Sequence, residues 1–218
     1  MNQLTHFLDH SNVYGSDNKE AAELRTFKNG ALKVTPQKGH HELDLLPPDN
    51  DPEMNCTLSK AVTGIDRPSD VKCFKAGEEK MTKEWGASES FEKLHLYNQF
   101  LAGDARSNEH PNLAVTHTVF MREHNRVVAE LAYLNPFWDD ERLYQEARRI
   151  LIAQMQHITY NEWLPIVIGV AKMQELGLVP LQHGFSNDYD ENINPTVLNE
   201  FATAAFRFGH TLIQGKQE

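Results

Sequence analysis

A chain of 218 residues with 40% hydrophobic and 24% charged side chains has ordinary globular composition, enough for one domain with a core or a large piece of a bigger one. A net charge of −10 argues against a nucleic-acid surface, which needs clustered excess Lys and Arg. No apolar run approaches the ~20 residues that a helix needs to span a bilayer, so a transmembrane helix is excluded too.

The first residues, MNQLTHF, have neither a basic n-region nor an apolar h-region, so no secretory signal is read there. Thr5, Asp9 and Ser11 alternate around the Phe7 carbonyl with a spacing of two, which lines oxygens along one side of an extended segment and suits a hard cation such as calcium. Spacing alone favours a capping region instead, with Ser16 or Asp17 starting a helix from Asn18 to Phe27, since calcium needs more oxygens than lie locally. Residues 28–74 read as irregular surface chain with little core of its own, carrying a short strand at Leu32 to Val34 and turns through LLPPDNDPE. Cys56 and Cys73 in that loop are either two free thiols or a disulfide. A bridge of that length would add about 3 kcal/mol and imply an oxidising compartment. Asn55-Cys56-Thr57 is an acceptor sequon for N-glycosylation. Residues 75–100 are charge-rich, and their flanks, FKAGE and FLAGD, echo each other, as an insertion into a loop would leave them.

Gly103-Asp104 then turns the chain into Arg106-Ser107-Asn108-Glu109-His110, and Pro111 is suited to the first position of a long helix. Arg106 and Glu109 read as a solvated ion pair, worth at most about 1 kcal/mol, or as a charged functional pair. Leu113, Phe120, Val127, Val128, Leu131 and Leu134 follow helical spacing up to Asn135-Pro136. A second helix begins after Trp138, with Asp139 and Asp140 at its positive end and Leu143, Ala147, Ile150, Leu151 and Ile158 facing inward. Gln154 on that face needs a polar partner. Trp163-Leu164-Pro165 ends it, a short helix follows at Val170–Leu176, and SNDYDENINP is loop. A last helix from Pro195 to Ile213 carries Arg207 and His210 one turn apart. There Gly209 leaves room for a flat group against the backbone, which favours a haem with His210 on the iron and Arg207 on a propionate. Regular strands are nearly absent, so the fold class is mainly α.

The segments LTHFLDHSNVYGS, AGDARSNEHP, HTVFMREHNR, LNPFWDDERLYQEARR, QMQHITYNEWLP and AFRFGHTLIQ, in this order, resemble the animal haem peroxidase family over nearly the whole chain apart from 75–100 and the last few residues. The resemblance implies a partial, multi-helix haem peroxidase domain over 1–218, with few strands and long loops. It implies that Arg106 polarises bound peroxide, that Glu109 bonds to the haem as an ester, that His210 is the axial iron ligand, and that Arg207 meets a propionate. It further implies calcium on Thr5, Phe7, Asp9 and Ser11, and a disulfide between Cys56 and Cys73. Haem b, possibly linked covalently, and calcium are the cofactors; hydrogen peroxide and small donors such as halides or phenols are the partners, the reaction passing through a ferryl state. The parent protein is expected outside the cell.

His110 stands where some relatives carry a methionine, so no sulfonium link is expected. The family's distal histidine is expected before Met1 and the asparagine that orients the proximal histidine after Glu218, so these residues alone are expected to be impaired. Two other readings are an adhesion module on the same fold, weakened by the lack of an RGD tripeptide, and a metal hydrolase using His117, Glu123 and His124. Those three do not form the HExxH pattern that puts two ligands on one helix face.

Overall fold

A computed structural model describes residues 5–36, 44–47 and 100–213. The chain divides into two compact units, His10–Gln154 and Met1–Asp9 with Met155–Glu218. The described residues are helical, with two isolated antiparallel bridges, Arg25 to Leu32 and Thr35 to Leu45, in place of strands. The expected strand at Leu32 to Val34 is reduced to the first bridge. Cys56, Cys73, Asn55 and all of the 75–100 segment except Phe100 lie outside the described residues.

In the unit His10–Gln154, α1 (Ser11–Tyr14) and α2 (Asn18–Leu24) come first. Asp17 caps α2, its Oδ1 accepting from the N–H groups of Lys19 (2.8 Å) and Glu20 (2.9 Å), as the capping reading requires. The long helix α3 (Pro111–Leu134) begins with proline at its first turn and His110 Nδ1 accepting from Asn112 N–H at 3.2 Å. It ends at Asn135, whose N–H donates to the Leu131 carbonyl, because Pro136 bars further helix. The helix α4 (Asp140–Ile158) starts where Asp139 Oδ1 accepts from Arg142 N–H at 2.8 Å, and its first turn holds Asp140 and Glu141 at the positive end.

The two helices face each other through Met121, Val127, Val128, Tyr144, Ala147 and Leu151, all buried, and Tyr14, Leu24, Leu32 and Leu46 complete the core. Leu32 and Leu46 correct the expectation that residues 28–74 contribute little core. Leu113 and Leu134, expected inward, are exposed at 39% and 68%, since they sit at the two ends of α3. Ile150 and Ile158 are exposed as well. Gln154 finds its polar partner across the helix pair, donating to Glu123 Oε1 at 3.1 Å.

Segment 25–32 is held by both long helices. Arg25 is buried and donates to Asp140 Oδ2 (2.8 Å) and Glu141 Oε2 (2.6 Å), with its guanidinium 3.9 Å from the Tyr144 ring centre. Asn125 on α3 accepts from Leu32 N–H and donates back to the Leu32 carbonyl.

In the other unit the helical path does not stop at Pro165. A π-helical turn, Thr159–Trp163, passes into α5 (Leu164–Val167), because proline in a first turn needs no donor. The short helix α6 (Val170–Glu175) follows. The expected helix from Pro195 to Ile213 is instead α7 (Asn199–Thr203) and a 3-10 segment, Ala205–Leu212, broken at Ala204 (φ −127, ψ −67). Among the described residues of Met155–Glu218 only Met173 is buried, so little packing favours the longer α-helical form.

Candidate active site

The loop before α3 is fixed by a close backbone approach. A Cβ on Gly103 would lie 2.3 Å from Gly15 N and 2.4 Å from the Ser11 carbonyl oxygen, so only glycine fits against α1. Beyond it, the 3-10 turn Ala105–Asn108 presents Arg106, while Ser107 is fully buried beneath. Asn108 clamps the turn to Phe100, accepting from its N–H at 2.7 Å and donating to its carbonyl at 2.8 Å.

The partner of Arg106 is Asp104, not Glu109, which corrects the ion pair read from the sequence. Asp104 Oδ1 accepts from Arg106 N–H (2.8 Å) and Nε–H (2.9 Å), and Oδ2 from Nη2–H (2.5 Å). An aspartate two residues before an arginine at a glycine turn reaches forward as an Asx turn does, and that signal was available in the sequence. The hydrogen bond from Arg106 holds the Asp104 carboxyl below its ordinary range, and Asp104 in turn raises the guanidinium. Glu109 has no side-chain hydrogen bond among the described residues.

His117 and His124 lie on α3 but do not gather a metal site. His117 Nδ1–H donates to the Leu113 carbonyl (2.7 Å), so its Nε2 accepts from Asn12 Nδ2–H (3.3 Å). His124 Nε2–H donates to the Gly30 carbonyl (2.9 Å) and Nδ1 accepts from the Tyr14 hydroxyl (2.9 Å). Burial pushes His124 down to about 4. Glu123 is taken by Arg126 and Gln154. The metal-hydrolase reading is thereby overturned: each candidate ligand is committed within the fold.

In the other unit, Arg207 and His210 stand on the 3-10 segment, where three residues make one turn and side chains at that spacing eclipse. Both are exposed, and the His210 side chain has no hydrogen-bond partner among the described residues. Arg207 Nε–H donates to the Ala202 carbonyl (3.2 Å). A Cβ on Gly209 would meet nothing within 4 Å, and Phe206, Phe208 and Leu212 around it are exposed. A free imidazole, an open backbone and an apolar surround fit one face of a haem. Of the expected calcium residues, Thr5 and Phe7 are exposed, and Thr5 Oγ1 accepts from Phe7 N–H at 3.1 Å. Asp9 belongs with these two in one unit and Ser11 to the other, as Arg207 and His210 are divided from Arg106 and Glu109.

The sequence profile described as animal haem peroxidase matches residues 1–88 and 87–218. The chain belongs to the animal haem peroxidase family. It is 41% identical to the chorion peroxidase of Drosophila melanogaster over 216 residues, covering 99% of this chain and 22% of that protein. It is 38% identical to a human peroxidasin homolog, over 98% of this chain and 12% of that one. Among solved structures, peroxidase A from Dictyostelium discoideum aligns with a TM-score of 0.58 at 34% identity, covering 94% of this chain and 31% of that one. The chain therefore spans about a fifth or less of the length of these curated relatives. No helix among the described residues is long and apolar enough to cross a membrane.

Proposed function

We propose that this chain is part of a haem-dependent peroxidase that reduces hydrogen peroxide and oxidises small donors, halides or phenols. The observation that carries the reading is Arg106, presented on a capped turn whose backbone is locked by Gly103 and Asn108. Negative charge grows on the departing oxygen when a peroxide O–O bond breaks, and a guanidinium already oriented stabilises it without reorganising. Haem, when bound, supplies the redox centre for reducing peroxide and for oxidising the donors. His210 would hold the iron, Arg207 would bind a propionate, and Glu109 would be the carboxylate available for an ester link to the macrocycle. Calcium on Thr5, Phe7, Asp9 and Ser11, a Cys56–Cys73 disulfide, a glycan on Asn55 and an extracellular location for the parent complete the proposal, as does the insertion at 75–100.

Residues 1–218 by themselves are proposed to turn over slowly, because a distal base that would take the peroxide proton has no match among them. The test titrates haemin into wild type and His210→Ala while following the Soret band, then measures peroxide-driven guaiacol oxidation. Wild type shifts the band and His210→Ala does not, and in the parent protein Arg106→Ala lowers the peroxide rate by about 10²–10³. An unshifted Soret band together with an Arg106→Ala parent as fast as wild type would overturn the peroxidase reading. Fast turnover by residues 1–218 alone would overturn only their impairment.

A further inference from the structure

We propose that Tyr14 and His124 form a redox site, in which a one-electron oxidant takes an electron from the Tyr14 ring while the hydroxyl proton passes to His124 Nδ1. Both side chains are fully buried in the unit His10–Gln154. Only the natural source of the oxidant rests on the peroxidase reading; the geometry stands without it.

The direction of the hydrogen bond between them is fixed by its neighbour. A carbonyl oxygen can only accept, so His124 Nε2, 2.9 Å from the Gly30 carbonyl, carries the proton of the neutral ring. Nδ1 is then a lone pair, and the Tyr14 hydroxyl donates to it at 2.9 Å, within the reach of direct proton transfer. Burial raises the Tyr14 phenol above its ordinary range and keeps His124 neutral, so the resting pair is phenol and imidazole.

An oxidised phenol is a strong acid and cannot keep its proton. Here the O–H bond breaks, an N–H bond forms on Nδ1, and one electron leaves to the oxidant. The products are a neutral tyrosyl radical and an imidazolium. A place for the second proton on His124 opens only at that moment, because the Tyr14 oxygen changes from donor to acceptor. Both imidazolium N–H groups then have acceptors, the tyrosyl oxygen and the Gly30 carbonyl, so no hydrogen bond is lost. The proton waits beside the oxygen it left, so an electron returned from a donor restores the pair. The oxidant required is one stronger than a phenol, the class that peroxide chemistry at a haem supplies.

Tyr144 is the internal control. Its ring stands edge-on to Tyr14 at 5.9 Å and to His124 at 5.5 Å, and it is buried as they are. Its hydroxyl, however, has no hydrogen-bond partner among the described residues, so a proton lost there has no acceptor. The Arg25 guanidinium lies 3.9 Å from the Tyr144 ring centre, nearer than Arg148 comes to Tyr14 (5.2 Å), and positive charge opposes the loss of an electron. Oxidation therefore settles on Tyr14.

The test photo-oxidises the full chain without haem, using flash-generated ruthenium(III) tris-bipyridine, and reads the frozen sample by electron paramagnetic resonance. Wild type and Tyr144→Phe give a persistent tyrosyl signal whose g values show an oxygen that accepts a hydrogen bond. Tyr14→Phe loses it. His124→Gln loses it too, since the amide oxygen accepts the hydrogen bond but is too weak a base to hold the proton. No persistent tyrosyl signal in wild type, or one without the hydrogen bond, would overturn the proposal, and that measurement needs no variant. The same signal in folded Tyr14→Phe would overturn the assignment, and its survival in folded His124→Gln would overturn the proton transfer. A chain that gives the radical but takes up no haemin would count against the peroxidase reading alone.

Discussion

His124 uses both ring nitrogens inside the core, one toward the Tyr14 hydroxyl and one toward the Gly30 carbonyl, so it has no place for a second proton. Its ordinary value of 6.5 is pushed down to about 4 by burial first, with Arg25 acting in the same direction. The unfolded chain therefore binds a proton near pH 6.5 that the folded chain refuses until about pH 4. Stability is full above pH 6.5 and falls as pH drops through that window, by about 3 kcal/mol in all. Urea unfolding at a series of pH values checks this, and His124→Gln is expected to flatten the dependence. Residue types alone made His117, Glu123 and His124 look like ligands. What the sequence could not carry was the identity of the histidines' distant partners, Asn12, Tyr14 and Gly30, each more than ninety positions away. Arg106 was legible as a candidate, but its nearer partner was masked, because the spacing to Glu109 is helix-like while Asp104 belongs to the turn behind it.

At the scale of elements, α3 was legible from end to end and α4 at its start, because those boundaries are written in local chemistry: Pro111, Asn135-Pro136 and Asp139. The end of α4 was not legible, since Pro165 reads as a stop and the helical path runs through it. The last helix was not, although Phe201, Ala205, Phe208 and Leu212 keep helical spacing. Spacing predicts a helix only where a surface receives the apolar side, and these side chains are exposed. Two glycines separate a structural role from a proposed ligand-directed one. Gly103→Ala forces a methyl into the backbone of α1 and is expected to cost about 3 kcal/mol in urea unfolding. Gly209→Ala meets nothing and is expected to leave stability within about 1 kcal/mol. The same methyl would stand where the proposed haem would lie against the backbone, so haemin affinity in the Soret titration is expected to fall. Unchanged haemin affinity would place the haem elsewhere.

At the scale of the molecule, burial is divided unevenly. The unit His10–Gln154 holds the described core, whereas the described part of Met155–Glu218 buries one side chain, Met173. Native-state hydrogen exchange is expected to show amides of α3 and of residues 140–154 opening only with global unfolding. Amides of α6, α7 and the 3-10 segment are expected to open at much lower free energy. Uniform protection across both sets would contradict that division. The mainly α class was readable from the scarcity of strand patterns, but the division was not, since periodicity says where a side chain points and not whether anything lies there.

Gly30 gives the first unit a mechanical property. Its N–H donates to Asp140 on α4 (2.6 Å) and its carbonyl accepts from His124 on α3 (2.9 Å), so one residue is gripped through both its peptide links, one by each long helix. With Arg25 on Asp140 and Glu141, and Leu32 on Asn125, the loop 25–32 works as a rivet rather than a connector. A rivet cannot fray alone. Pulling it out leaves Arg25, Asp140 and His124 without their partners at once, so this surface loop opens only when the helix pair beneath it does.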